Sequence, residues 1–197
     1  MAQVTLKNIR IVFPKLAEPN EKGKYTLGIL IPIDSEAHRA FMSAVGEAWR
    51  SGRQKYGEQQ FCPNPTRAQV YNRCYVKESG GIDSQGRAVP EWYDGHIGFT
   101  ANAKKPVRVI DRRGNDIPKD SPDIYDGQLA SVSLDISPVY QEGNPCVGRY
   151  LRAVLILGGG ERIETGSGGT IDPRAEFADQ IEPDNGADFD AFAQIPY

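Results

Sequence analysis

Two stretches of this chain open on the same three residues, Tyr93-Asp94-Gly95 and Tyr125-Asp126-Gly127, and each then alternates apolar with small or polar side chains. Asp-Gly supplies a positive-φ turn that starts a strand cleanly. In the first copy Ile97, Phe99, Ala101 and Ala103 point one way, against His96, Gly98, Thr100 and Asn102. In the second, Ala130, Val132, Leu134 and Ile136 oppose Ser131, Ser133 and Asp135. A period of two fits strands buried on one face, which predicts an antiparallel sheet with an open, polar side. Between the copies lies Lys104-Lys105-Pro106-Val107-Arg108-Val109-Ile110-Asp111-Arg112-Arg113-Gly114, a short basic strand and turn. A polar sheet edged with cations suits an extended anionic polymer.

The rest of the chain supports a mainly β reading. Residues 3–13 alternate as a first strand stopped by Pro14, and Lys24 to Ile33 form a second with Tyr25, Leu27, Ile29 and Ile31 inward. Asp34-Ser35 can cap a helix whose Ala37, Phe41, Ala44, Val45, Ala48 and Trp49 recur at helical spacing, ending near Tyr56-Gly57. Val70 to Lys77 reads as a strand with Tyr71, Arg73, Tyr75 and Lys77 on the outer face. Gln141 to Pro145 reads as a hairpin turn. A last strand from Val147 to Leu157 follows, with Val147, Leu151, Ala153, Leu155 and Leu157 inward and Tyr150 and Arg152 outward.

A chain of 197 residues with 21 Gly and 14 Pro suits one domain of short strands and turns, here residues 1–160. Residues 161–197 read as a Gly-rich linker and an acidic, disordered tail. The net charge of −3 hides that asymmetry. Residues 161–197 hold nine acids and two bases, a balance of −7, which leaves +4 on the body. Three cysteines at unrelated spacings and two histidines predict a reducing cytoplasm and no zinc site. No apolar run is long enough for a membrane span, and no signal-peptide pattern opens the chain.

Enzyme chemistry has little to stand on. Gly158-Gly159-Gly160 and Gly166-Ser167-Gly168-Gly169 lack the Lys-Ser/Thr of a nucleotide-binding loop, and no Ser, His and Asp stand in a motif. The reading is therefore a non-catalytic protein without cofactor. Single-stranded nucleic acid exposes base faces to aromatic rings while Lys and Arg follow the phosphates. Tyr71, Arg73, Tyr75, Lys77, Lys104, Lys105, Arg108, Tyr150 and Arg152 match that recipe on short strands.

Val12-Phe13-Pro14-Lys15-Leu16, Lys24-Tyr25 through Ile31-Pro32, the Gly95 strand with Ala101-Asn102 and Lys105-Pro106, Ile124-Tyr125-Asp126-Gly127, and Gly148 through Val154 follow one another in an order seen in phage proteins. By these motifs residues 2–160 resemble the phage single-stranded DNA-binding proteins. That resemblance implies an OB-fold, an antiparallel Greek-key barrel with one packed helix whose open face and loops hold DNA. It also implies coating of phage replication or recombination intermediates in the host cytoplasm. The alternatives are a phage structural or assembly protein and an annealing protein that pairs complementary strands. Proteins of the single-strand-binding type commonly end in an acidic segment with a terminal aromatic. Here Asp184, Asp188, Phe189, Asp190, Phe192 and Tyr197 are the corresponding expectation for contacts with replication or recombination proteins.

Overall fold

The first strand, β1 (Ala2–Lys15), begins by turning Val4 and Leu6 inward. Asn8 then takes φ 52°, and Ile9 and Ile11 continue the same inner row. A left-handed residue within a strand marks a bulge, and Asn tolerates it better than a branched residue. A second irregularity at Phe13 (φ 48°) carries the strand past Pro14, which reads as its end in the sequence. The computed structural model describes residues 1–82, 88–141 and 143–164, all within one compact unit, Met1–Glu164.

After β1 come β2 (Tyr25–Pro32), α1 (Glu36–Tyr56), α2 (Arg67–Arg73), β3 (Lys77–Glu78), β4 (His96–Ala103), β5 (Arg108–Ile110), β6 (Leu129–Gln141) and β7 (Asn144–Ile156). They form one sheet ordered β3-β4-β2-β1-β6-β7-β5. A further pairing of β4 with β7, Asn102 opposite Tyr150, closes five of these strands into a ring. This mainly β, ring-like sheet is consistent with an OB-like fold. It is not wholly antiparallel, because β4–β7 and β5–β7 run parallel. Neither is a pair of consecutive strands, so no hairpin obliges them to reverse.

The Tyr-Asp-Gly repeats do start strands. Gly95 (φ 68°) and Gly127 (φ 94°) turn the chain into β4 and β6, and Ile97, Phe99, Ala101, Ala130, Val132, Leu134 and Ile136 are buried as the alternation requires. The outer side of β4 is less open than the pattern implies. Gly98 lies beneath the Tyr93 ring, where a Cβ would also meet Leu30. Val12, Leu30, Val89 and Tyr93 there make a second, smaller apolar cluster.

Ser35 caps α1 by accepting from the His38 N–H at 3.1 Å, and the helix lays Phe41 flat on Phe99 with ring centres 4.5 Å apart. Gly57 ends it, as the sequence predicts. A second helix replaces the expected strand over Val70–Lys77. The Thr66 hydroxyl accepts from the Gln69 N–H and the Gln69 side chain accepts from the Thr66 N–H, a capping box that starts α2. Val70, Tyr71 and Cys74 then fall on one buried side at helical spacing. In β7 the pairing slips between Ser133 and Leu134, so Val154 and Ile156 face inward where Ala153, Leu155 and Leu157 were expected. Beyond β7, Ile163 donates its N–H to the Asp126 carbonyl, holding residues 161–164 against the body. Among the described residues no helix is long and apolar enough to cross a membrane. The expected tail contacts, Asp184, Asp188, Phe189, Asp190, Phe192 and Tyr197, lie outside the described residues.

Candidate nucleic-acid interface

Ring closure gathers side chains that are far apart in sequence. Tyr150 stands opposite Asn102, the penultimate residue of β4, and Lys104 and Lys105 follow at once in an exposed turn. On the other flank of β7, Arg108 pairs with Ala153, one residue from Arg152. Val109 and its partner Val154 are both buried, so Arg108 points to the outer face. Tyr150, Arg152, Lys104, Lys105 and Arg108 thus line one seam where β4, β7 and β5 meet. All five are exposed.

The cations of the seam are differently engaged. Arg152 reaches the Asp135 carboxylate at 3.0 Å, and Arg108 holds Asp116 through two bonds of 2.6 and 3.2 Å. The Arg108 guanidinium keeps the Asp116 carboxyl below its ordinary value, first through the hydrogen bond itself. Exposed pairs like these contribute little to stability, so a phosphate can replace the carboxylate at small cost. Lys104 and Lys105 are exposed and form no ion pair with a described residue. Tyr150 lies along the strand over Gly148, where an added Cβ would come within 2.7 Å of the ring.

The second expected group needs correction. Tyr71 does not sit on an outer strand face: it is 5% exposed within the main core, its hydroxyl 3.1 Å from His38 Nε2. Burial raises its pKa, opposed by the hydrogen bond from Arg67. Arg73 is on the helix as well, and its guanidinium donates to the Pro145 carbonyl at 2.6 Å, tying α2 to β7. Lys77 does reach a strand, opposite Gly98, but β3 is only two residues long. Tyr75 alone of the two tyrosines is exposed, at 62%.

Behind Tyr75 stands a residue absent from the expected set. The Arg149 guanidinium lies 5.4 Å from the Tyr75 ring centre and 6.0 Å from that of Phe99. Arg149 is half-buried, and its Nε and Nη1 are closed off and hydrogen-bond to no described residue. Burial lowers its pKa, and the nearby Cys74 thiol, also buried, is pushed up to about 12. Parity along Val147, Arg149 and Leu151 already pointed this side chain inward, and that was the available clue.

A ring of strands with aromatic and cationic side chains along one seam has the makings of a single-strand-binding surface. The chain belongs to the family described as Enterobacter phage Enc34, ssDNA-binding protein, which matches residues 2–188. A relative called putative protein p50, from Acyrthosiphon pisum secondary endosymbiont phage 1, is 24% identical over 187 residues, covering 90% of this chain and 93% of that one. Among solved structures, the single-stranded DNA-binding protein from bacteriophage Enc34 superimposes with a TM-score of 0.63 at 16% identity, over 87% of this chain and 89% of that one. The same protein in complex with ssDNA gives 0.62 at 18%, over 82% and 89%. Bacteriophage T7 gp2.5, a single-stranded DNA-binding protein, gives 0.53 at 16%, over 92% and 97%. At such identities these structures speak for the fold.

Proposed function

We infer that this chain is a phage single-stranded DNA-binding protein, that its ring of strands is an OB-fold barrel, and that the strand runs along the β4–β7–β5 seam. The observation that carries the reading is the family match over residues 2–188. It is supported by the seam itself, where Tyr150 offers a ring for base stacking and Lys104, Lys105, Arg108 and Arg152 offer four cations for phosphates. Such stacking tolerates any base, so binding is largely independent of sequence. The protein has no catalytic step and coats single strands during phage DNA replication or recombination in the host cytoplasm. Asp184, Asp188, Phe189, Asp190, Phe192 and Tyr197 supply contacts for other replication or recombination proteins.

Fluorescence anisotropy with labelled oligo-dT, repeated on duplex and at several salt concentrations, tests the reading. With about four to six phosphates neutralised, log K against log salt slopes near −3 to −4 for single strands. Replacing Lys104 and Lys105 together by Ala makes that slope shallower by about 1.4, two contacts of ~0.7 each. Absence of binding at low salt would return the chain to a structural or assembly role.

A further inference from the structure

Helix α2 ends in a motif that ordinarily calls for glycine. The Val76 N–H donates to the Tyr71 carbonyl at 2.9 Å and the Tyr75 N–H to the Asn72 carbonyl at 3.1 Å. That pair of bonds is the Schellman pattern, which puts the residue after the cap in the left-handed region. Tyr75 is that residue, with φ 50°. A tyrosine there is strained where glycine is not, and its ring does not repay the strain through burial. What the ring does is cover Arg149, with its other face left to solvent.

Arg149 is the counterpart anomaly. Its β7 neighbours Val147 and Leu151 point into the core, and so does Arg149, toward the Phe99 ring. The titratable groups near it are two cysteines, Cys74 and Cys146, and two tyrosines, Tyr75 and Tyr150, with no carboxylate among them. A guanidinium whose closed-off donors meet neither a hydrogen-bond partner nor a carboxylate among the described residues is destabilising as it stands. An arriving anion would reverse that, and guanidinium geometry suits phosphate. The next residue in the chain, Tyr150, already belongs to the seam.

We propose that Tyr75 and Arg149 form a nucleotide clamp that extends the seam: a base stacks on the exposed Tyr75 ring and draws it off Arg149, whose Nε and Nη1 then receive the adjoining phosphate. This rests on the single-stranded DNA reading and adds to it one stacking ring and one phosphate contact. The clamp explains why the Schellman position carries Tyr instead of Gly, and why a cation at the edge of the core has closed-off donors without a described partner.

The test uses the full chain, labelled oligo-dT, and the variants Tyr75→Gly and Arg149→Met. Tyr75→Gly relieves the backbone strain, so its thermal midpoint holds or rises, while affinity falls roughly tenfold with the salt slope unchanged. Arg149→Met replaces a half-buried cation by an apolar chain and keeps the fold, while affinity falls and the slope becomes shallower by about 0.7. Affinities within about twofold of the parent for both variants, with the parent slope retained, overturn the clamp. In that case a parent that binds, and that weakens on replacement of Lys104 and Lys105, leaves the single-strand reading standing. A parent that does not bind ends both. Should Arg149→Met fail to fold, Tyr75→Gly decides alone, and unchanged affinity there refutes the proposal.

Discussion

Tyr71 and Tyr75 lie four residues apart, one in the last turn of α2 and the other just beyond its cap. The first turns its ring into the core, with its hydroxyl on His38 and the Arg67 guanidinium 4.9 Å from its ring centre. The second turns its ring to solvent. Their substitutions therefore separate stability from binding. Tyr71→Ala empties a ring-sized volume beneath α2 and removes the hydroxyl partner of His38. By analogy with other large-to-small core changes it lowers unfolding stability by about 3–5 kcal/mol, measured by urea denaturation. Protein that remains folded keeps its oligonucleotide affinity, since the ring is not at the surface. A Tyr71→Ala chain with parent stability and impaired binding would place this tyrosine on the interface after all.

At the scale of elements, the strands were legible and the short helix was not. Alternation over Ile97–Ala103 and Ala130–Ile136 persists for several residues, so a period of two is unambiguous and the buried rows follow. Val70–Lys77 offers too few apolar positions to distinguish periods, and α2 spans only seven residues. Its evidence lay outside the run, in Thr66 and Gln69. The bulge at Arg152 shifts parity while Ala153, Leu155 and Leu157 keep an apolar alternation in the sequence, so the faces expected beyond it are reversed. Of the residues expected at the interface, Lys104, Lys105, Arg108, Tyr150 and Arg152 come out exposed along the seam because they sit on strands legible in the sequence or beside them. Arg149 is not among the expected residues, because an inward arginine contradicts the usual composition of a core. Gly148 shows how closely β7 serves the seam. Alanine there puts a Cβ within 2.7 Å of the Tyr150 ring, which is a side-chain end free to swing away. Gly148→Ala thus leaves thermal stability nearly unchanged and displaces the ring. With one base stack worth roughly 1–3 kcal/mol, oligo-dT affinity falls by about that amount at most. Equal affinities for Gly148→Ala and the parent would remove Tyr150 from the stacking surface.

Charge is distributed over the whole molecule in a way that no single element reveals. The net value of −3 is the sum of a basic body and an acidic end, and the cations at the seam belong to the body. Deleting residues from Ile171 onward removes seven acids (Asp172, Glu176, Asp179, Glu182, Asp184, Asp188 and Asp190) and one base, Arg174. That is six net negative charges, and −3 becomes +3. A polyanion carried on the same chain acts at a high effective concentration and competes with DNA phosphates for the same cations. Truncation therefore tightens binding to oligo-dT. Because the competition is electrostatic, the gain is largest at low salt and fades as the Debye length shortens to about 8 Å near physiological ionic strength. The apparent slope of log K against log salt also steepens, since fewer cations are occupied before DNA arrives. Phe189, Phe192 and Tyr197 leave with the acids, and if they hold replication proteins as proposed, pull-down of those proteins from infected cells diminishes in parallel. The two readouts discriminate: a tail that serves only partners loses the pull-down and leaves affinity unchanged at every salt concentration. Identical titrations of full-length and truncated protein at low salt would exclude competition.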